Sequence, residues 1–443
     1  MSKLHAAKVR YNFGRKGSVM IGYSIILLFF MTGLTVDGLN IIVPGFAAIK
    51  GWNQDQLLSI ATPASIVALV LTSLWSLVVK RLGAKNATSL AFLLAAGSVA
   101  AFGVSVDLWM YAITLTLMIT FINCFSVIGG YAMIANWFPR KKGIVLGFST
   151  MGMNLASASI PALLTVFSRV ATDNPDGDVT HALFVFAGIL AVTGLLNQAL
   201  VKDNPEAAGC YPDNEPAEED AIEEPSREGD KTGLTYTQAV RNPKILALGF
   251  VYGLTGMGTV GVMSQLIPYL TAERGFTQES AISTMTAAAL IGVFGSWVWG
   301  VIDQRWGTKL ATQLFGVWFA LAIVALITPT QEMLYLGIFM IGMGIGGNGN
   351  FPPSMVTQVC GRHDFPIAFG VVNAICGVVR SLAFVVLALV RSATGSTANA
   401  YIAFIFISLL GTLVMTLVKV KGQDQPLAPI TVAAQPTKEV NHA

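Results

Sequence analysis

Apolar residues run along this chain in blocks about as long as a bilayer is thick, and short polar stretches separate them. Twelve such blocks occur, at 18–43, 55–79, 86–105, 108–135, 143–168, 181–201, 244–270, 280–302, 309–328, 333–357, 366–390 and 398–418. A helix needs about 20 mostly apolar residues to cross the hydrocarbon core. Inside that core every backbone polar group must be paired within the segment, which favours helices. The pattern therefore predicts an all-α membrane protein with twelve transmembrane helices. The basic stretch KLHAAKVRYNFGRKG precedes the first block. No small-residue cleavage site follows, and the block is too long for a signal peptide, so it is expected to stay attached.

The polar stretches give the chain an orientation. Counted in alternate loops, all but five of the 27 cations fall on the side of the N-terminus. Lys50, Arg169, Arg274 and Arg391 fall on the other side, and Arg380 lies within a block. Cytoplasmic loops carry the excess of Lys and Arg, so both termini are expected in the cytoplasm. The turn NWFPRKKGIVLG, with Arg140, Lys141 and Lys142 between two apolar blocks, then lies at the inner surface. It serves there as a topological anchor or as part of an interface.

The sixth and seventh blocks are separated by residues 202–242, which hold eleven acids and several prolines. Such a composition predicts a largely disordered acidic cytoplasmic linker. The chain divides into an N-terminal six-helix bundle (1–201), this linker (202–242), a C-terminal six-helix bundle (243–418) and a cytoplasmic tail (419–443). An internal repeat supports the division: KRLGAK at 80–85, after the second block, and QRWGTK at 304–309, after the eighth, share Arg-x-Gly-x-Lys. Duplicated bundles of this kind bind substrate near the midplane between the halves and expose it to each side in turn.

Composition excludes other classes. With 54% hydrophobic and 12% charged residues the chain lies outside soluble domains. His5, His181, His363 and His442 are scattered, which leaves no metal cluster. Cys124, Cys210, Cys360 and Cys376 suggest no disulfide framework. Nucleophile elbows and phosphate loops are absent, and the glycines of GMGIGGNGNFPP at 342–353 sit in a spanning block, where helix packing and a bend account for them. No enzyme activity, cofactor or metal is expected. The net charge of +3 reflects orientation rather than affinity for nucleic acid.

The two Arg-x-Gly-x-Lys loops, Lys80, Arg81, Gly83, Lys85 and Asp303, Arg305, Gly307, Lys309, resemble the loop motif of the major facilitator superfamily. NWFPRKKGIVLG and NPEAAGCYPD resemble the branch that contains oxalate:formate antiporters and monocarboxylate transporters. The resemblance covers essentially the whole spanning chain and implies the major facilitator fold and secondary transport. That motif normally carries an Asp three residues before the Gly. Lys80 stands there in the first half and Gln304 in the second, with Asp303 shifted by one. In the oxalate antiporters two cations face the cavity, and the pattern places Ser296 and Cys376 at their positions, so oxalate itself is not expected.

Arg380 follows Cys376 by one helical turn. It lies 14 residues beyond Pro366, about 21 Å into its helix and near the bilayer centre. A cation there is tolerated when it faces a wet cavity or a partner. Asn373, Cys376 and Arg380 share one face, and the guanidinium fork suits a carboxylate. A salt bridge between two helices is the alternative. Asp37, in TVDGLNIIVPG, is the one acid inside the blocks away from their first residues. With Asn40 and Pro44 nearby, this segment is expected to bend or unwind. There Asp37 could gate substrate, carry a proton, or cap a helix end. Asn123, Ser126, Asn154, Ser157, Gln265, Asn348 and Asn350 are expected chiefly to join helices.

These features predict a transporter of a small organic anion, a monocarboxylate in the first place. It would work by alternating access in the bacterial cytoplasmic membrane, as a monomer in the lipid bilayer. Coupling would be antiport with a counter-anion or symport with H+. Arg380, Asn373, Cys376, Asp37, Asn40 and Ser296 are the candidate substrate-binding residues. The two basic loops, with Arg140, Lys141 and Lys142, are the candidate conformational ones. Met151, Met153, Met257, Trp297 and Trp299 leave open an exporter of drugs or bulky amphiphiles, and the linker leaves open a non-transporting sensor.

Overall fold

The computed structural model describes residues 12–169, 178–215 and 233–418. Most of the acidic tract expected as a linker, the tail from 419, His5 and His442 lie outside the described residues.

The first six spanning helices are α1 (Gly14–Asp37), α2 (Gln54–Leu82), α3 (Ala84–Gly103), α4 (Leu108–Trp137), α5 (Lys142–Ser168) and α6 (Val179–Leu200). After the linker come α7 (Pro243–Arg274), α8 (Gln278–Trp306) and α9 (Thr308–Ile327). The last three are α10 (Gln331–Asn348), α11 (Phe351–Thr394) and α12 (Thr397–Leu417). Together α10 and α11 form an apolar stretch of 64 residues. As one rod that would reach about 96 Å, three times the hydrocarbon thickness. Gly361, with φ 72° and ψ 174°, leaves the helix and breaks the stretch into two crossings. A β-carbon would be strained at that φ. The described residues are thus helical, contain no strand, and make the twelve expected crossings.

Local chemistry sets the ends. Asn53, Asp107, Asp178, Asn242 and Thr277 each accept a backbone N–H in the first turn of the following helix. Pro243 occupies the first position of α7, where no N–H is needed. Two interruptions are subtler. Residues Gly33–Asp37 and Cys124–Gly130 wind as π-helix, which inserts a residue into the turn and is common at functional sites. The segment around Asp37 therefore widens instead of unwinding, and a helix continues beyond it over Leu39–Lys50.

Packing follows the repeat. In the first half α1 packs on α5, α2 on α4 and α3 on α6; in the second, α7 packs on α11, α8 on α10 and α9 on α12. The halves meet through α5 against α8 and α2 against α11. Exchanging the halves converts the first of these interfaces into the second, as a twofold relation between duplicated bundles requires. Small residues allow the close approach: a Cβ on Gly300 would lie 2.7 Å from Gly147 Cα.

Both described ends of the chain lie on the side of the basic loops. Asn12 O accepts from Lys141 Nζ, and Val418 O accepts from Lys309 Nζ.

Candidate functional site

Arg380 is exposed although it lies in the middle of a spanning helix. Its stem is not turned to lipid. A Cβ placed on Gly256 of α7 would lie 3.1 Å from Arg380 Cδ and 3.3 Å from Asn348 Nδ2 of α10. The side chain thus leans into the angle between α7 and α10. The guanidinium makes no hydrogen bond or ion pair among the described residues. The two ion pairs found there are Lys141–Glu215 and Arg362–Glu206. The helix-to-helix salt bridge allowed by the sequence is therefore not formed. An unpaired cation at this depth requires water or an anion beside it.

The other candidates are distributed around this point. Asn373 is half-buried and makes no hydrogen bond among the described residues, while Cys376 is buried. Asp37 Oδ2 accepts from Ser157 Oγ at 2.6 Å, which ties α1 to α5, and it forms no ion pair with Arg380. Asn40 is exposed. Ser296 is fully buried away from the gap: its Oγ accepts from Asn154 Nδ2 at 3.0 Å and donates to Gly292 O at 3.0 Å. Trp299 donates Nε1 to Met343 O, and with Met257 it is buried in helix packing.

Below Arg380, on the basic-loop side, the halves are clasped. Tyr131 Oη donates to Gly349 O at 3.4 Å, and Thr150 Oγ1 donates to Asn350 Oδ1 at 2.5 Å. Asn154 Nδ2 donates to Gly292 O at 3.1 Å. Gln304 binds the turn before α5 twice, accepting from Gly143 N at 3.1 Å and donating to Arg140 O at 2.7 Å. Nearer the opposite side, no hydrogen bond or ring contact among the described residues joins the halves. The polar contacts that join the halves thus cluster on the basic-loop side of Arg380.

The basic loops divide their work. Lys141 is buried; its Nζ pairs with Glu215 Oε1 at 2.8 Å and donates to Asp213 O at 2.8 Å. The Asp213 carboxylate accepts from Arg140 N at 3.0 Å and Lys141 N at 2.8 Å. Burial pushes that carboxyl above its ordinary range, against the pull of those two N–H groups. Lys142 is buried beside Asp303. Lys80 donates to the carbonyls of Gly233 and Leu234, while Arg81 and Arg305 are exposed. Gly83 and Gly307, with φ of 80° and 82°, start α3 and α9, and Lys309 donates to Thr416 O and Val418 O at the end of α12. In the first half Asp203 Oδ1 accepts from Lys85 N at 2.5 Å.

Sequence reasoning missed Gly256, Tyr131, Asp203, Glu206 and Asp213. A glycine or tyrosine in an apolar block carries no distinguishing signal. The Asp-Asn pair at 213–214 does, because both residues adopt the left-handed backbone that these types tolerate.

A family model described as the Major Facilitator Superfamily matches residues 25–384. No curated protein matches the chain. Several solved structures are similar. The human organic anion transporter MFSD10 (TETRAN) is 15% identical with TM-score 0.64, covering 90% of this chain and 97% of that one. The proton:xylose symporter XylE is 12% identical with TM-score 0.71, covering 90% and 96%. The fucose:proton symporter FucP of E. coli is 12% identical with TM-score 0.63, covering 90% and 98%. At these identities the likeness is one of fold.

Proposed function

The chain belongs to the major facilitator superfamily, as a multi-pass membrane transporter and not an enzyme; from that premise we propose that it carries a small organic anion, a monocarboxylate in the first place. The observation that carries the reading is the solitary Arg380 guanidinium, exposed within a span and without a partner among the described residues. A carboxylate would take two parallel hydrogen bonds from that fork where little water competes. Asn373, one face with Arg380, orients the anion. Asp37 and Asn40 lie toward the side away from the basic loops, where they shape the entrance, and Asp37 is the candidate proton carrier for symport. Cys376 supports the anion site from behind, and Ser296 belongs to the seam between the halves.

The loop similarities support a place in the oxalate:formate and monocarboxylate branch. The excess of cations supports a cytoplasmic position for both ends and for the basic loops, in a bacterial inner membrane. With that orientation, the clasp at the basic-loop side supports reading this conformation as one closed to the cytoplasm in an alternating-access cycle, and the carrier as a monomer of two bundles, 1–201 and 243–418. Of the five residues behind the amphiphile-exporter reading, Trp299 and Met257 are buried in helix packing, while Met151, Met153 and Trp297 are half-buried and keep it as the alternative.

Counterflow in proteoliposomes with a panel of labelled short acids and a cationic dye tests the reading. Arg380→Gln should insert normally and lose acid flux, with Arg380→Lys retaining a part. Undiminished flux in the glutamine variant would remove Arg380 from the site.

A further inference from the structure

The tenth crossing contains two asparagines two residues apart, and the fold gives them opposite surroundings. Asn350 is fully buried in the seam, accepting from Thr150 Oγ1 and donating Nδ2 to Ser296 O at 3.1 Å. Asn348 is half-buried and makes no hydrogen bond among the described residues. It is the last residue of α10, where the helix is interrupted before α11 begins at Phe351. Its amide and the Arg380 stem border one and the same point, the space left by the missing side chain of Gly256. Amides inside a membrane usually pair with a neighbouring helix. An unpaired amide that shares the Gly256 space with the stem of an unpaired guanidinium leaves two polar groups that one ligand can satisfy.

We propose that Asn348 is a specificity-determining residue: with Arg380 holding the carboxylate, on which reading this rests, the Asn348 amide bonds a second polar atom on the carbon next to it. The amide offers a donor at Nδ2 and an acceptor at Oδ1, so it can serve a hydroxyl or an oxo group. An unsubstituted acid of the same length would leave that amide unpaired. Sites built to bond a substrate hydroxyl reject the analogue lacking it far more strongly than an apolar pocket rejects a methylene.

The position also links recognition to the seam. Asn348 adjoins Gly349, whose carbonyl accepts the Tyr131 hydroxyl from the other half. A ligand drawn onto Asn348 thus lies one residue from a contact that must break when the basic-loop side opens.

The test compares 2-hydroxybutyrate with butyrate in counterflow, in the native protein and in Asn348→Ala, Asn348→Gln and Arg380→Gln. The native protein should favour 2-hydroxybutyrate, Asn348→Ala should reduce that preference about tenfold, and Asn348→Gln should restore part of it. Should the alanine variant fail to insert, Asn348→Ser is read in the same way. A native protein that does not distinguish the two acids overturns the proposal. So does a preference unchanged in Asn348→Ala, or equal losses for both acids, and in these cases loss of both fluxes in Arg380→Gln leaves the carboxylate anchor standing. Both fluxes intact in Arg380→Gln would instead remove the anchor, and the proposal with it.

Discussion

Thr150 of α5 donates its hydroxyl to Asn350 Oδ1 at 2.5 Å, across the seam between the halves, and both residues are almost wholly buried. Thr150→Val keeps the shape and removes the donor, which leaves a buried acceptor unsatisfied at about 1–3 kcal/mol. That cost falls only on the state closed toward the basic loops. Spin labels at the exposed positions Arg81 and Arg305, in a cysteine-replaced background, should therefore show a new population at longer distance.

The α5–α8 crossing allows a steric test of the same closure. A Cβ at Gly300 would meet Gly147 Cα at 2.7 Å and Gly143 O at 2.8 Å, and both are backbone atoms that cannot swing aside. Gly300→Val should insert, lose flux, and give the long distance between the same labels almost exclusively.

Glu206 and Arg362 form the one ion pair among the described residues that joins the segment after α6 to the second half, at 2.9 Å. With side-chain exposures of 31% and 20%, it is partly screened, and a coupling of about 0.2–1 kcal/mol is expected. Glu206→Arg should destabilise the closed side and speed exchange of the label populations. Adding Arg362→Glu should restore the native behaviour, and high salt should erase the difference.

Asp213 gives a dependence on pH. Because burial holds its carboxyl above the ordinary range, its contribution to docking the 212–215 segment is complete below the unfolded value. It is lost as pH rises through the folded one. Thermal unfolding should thus show a decline in stability beginning just above the usual carboxylate range, and Asp213→Asn should remove that decline.

Asp37 is tied to Ser157 and free of any cation among the described residues. As the proposed proton carrier it makes a divided prediction: Asp37→Asn should retain counterflow of labelled acid and lose uptake driven by a pH gradient. Equal loss of both would assign Asp37 to binding or to the fold.

The crossings were legible along the chain, as were the loop charges behind the expected orientation and the repeat behind the expected division into halves. They depend on run length and loop charge, which a bilayer reads residue by residue. Arg380 was legible for the same reason, since a cation at that depth is expensive wherever it points. Asn348 and Asn350 show where this reading ended. Both are amides in one apolar block, and only the packing of α10 against α5, α7 and α8 turns one into the seam and the other toward Arg380. Likewise the three cations at 140–142 are equivalent in sequence. In the fold the Lys141 side chain anchors the segment after α6, Lys142 meets Asp303, and Arg140 offers its backbone carbonyl to Gln304.

By itself the sequence determined that this chain crosses a membrane twelve times and carries one cation midway along a span, because a bilayer penalises each residue separately. The tertiary structure alone decided on which side of Arg380 the halves are clasped, which polar groups lie idle beside Arg380 and which are consumed in the seam. Those outcomes depend on pairs of atoms from helices far apart in the chain, and a linear pattern holds no record of such distances.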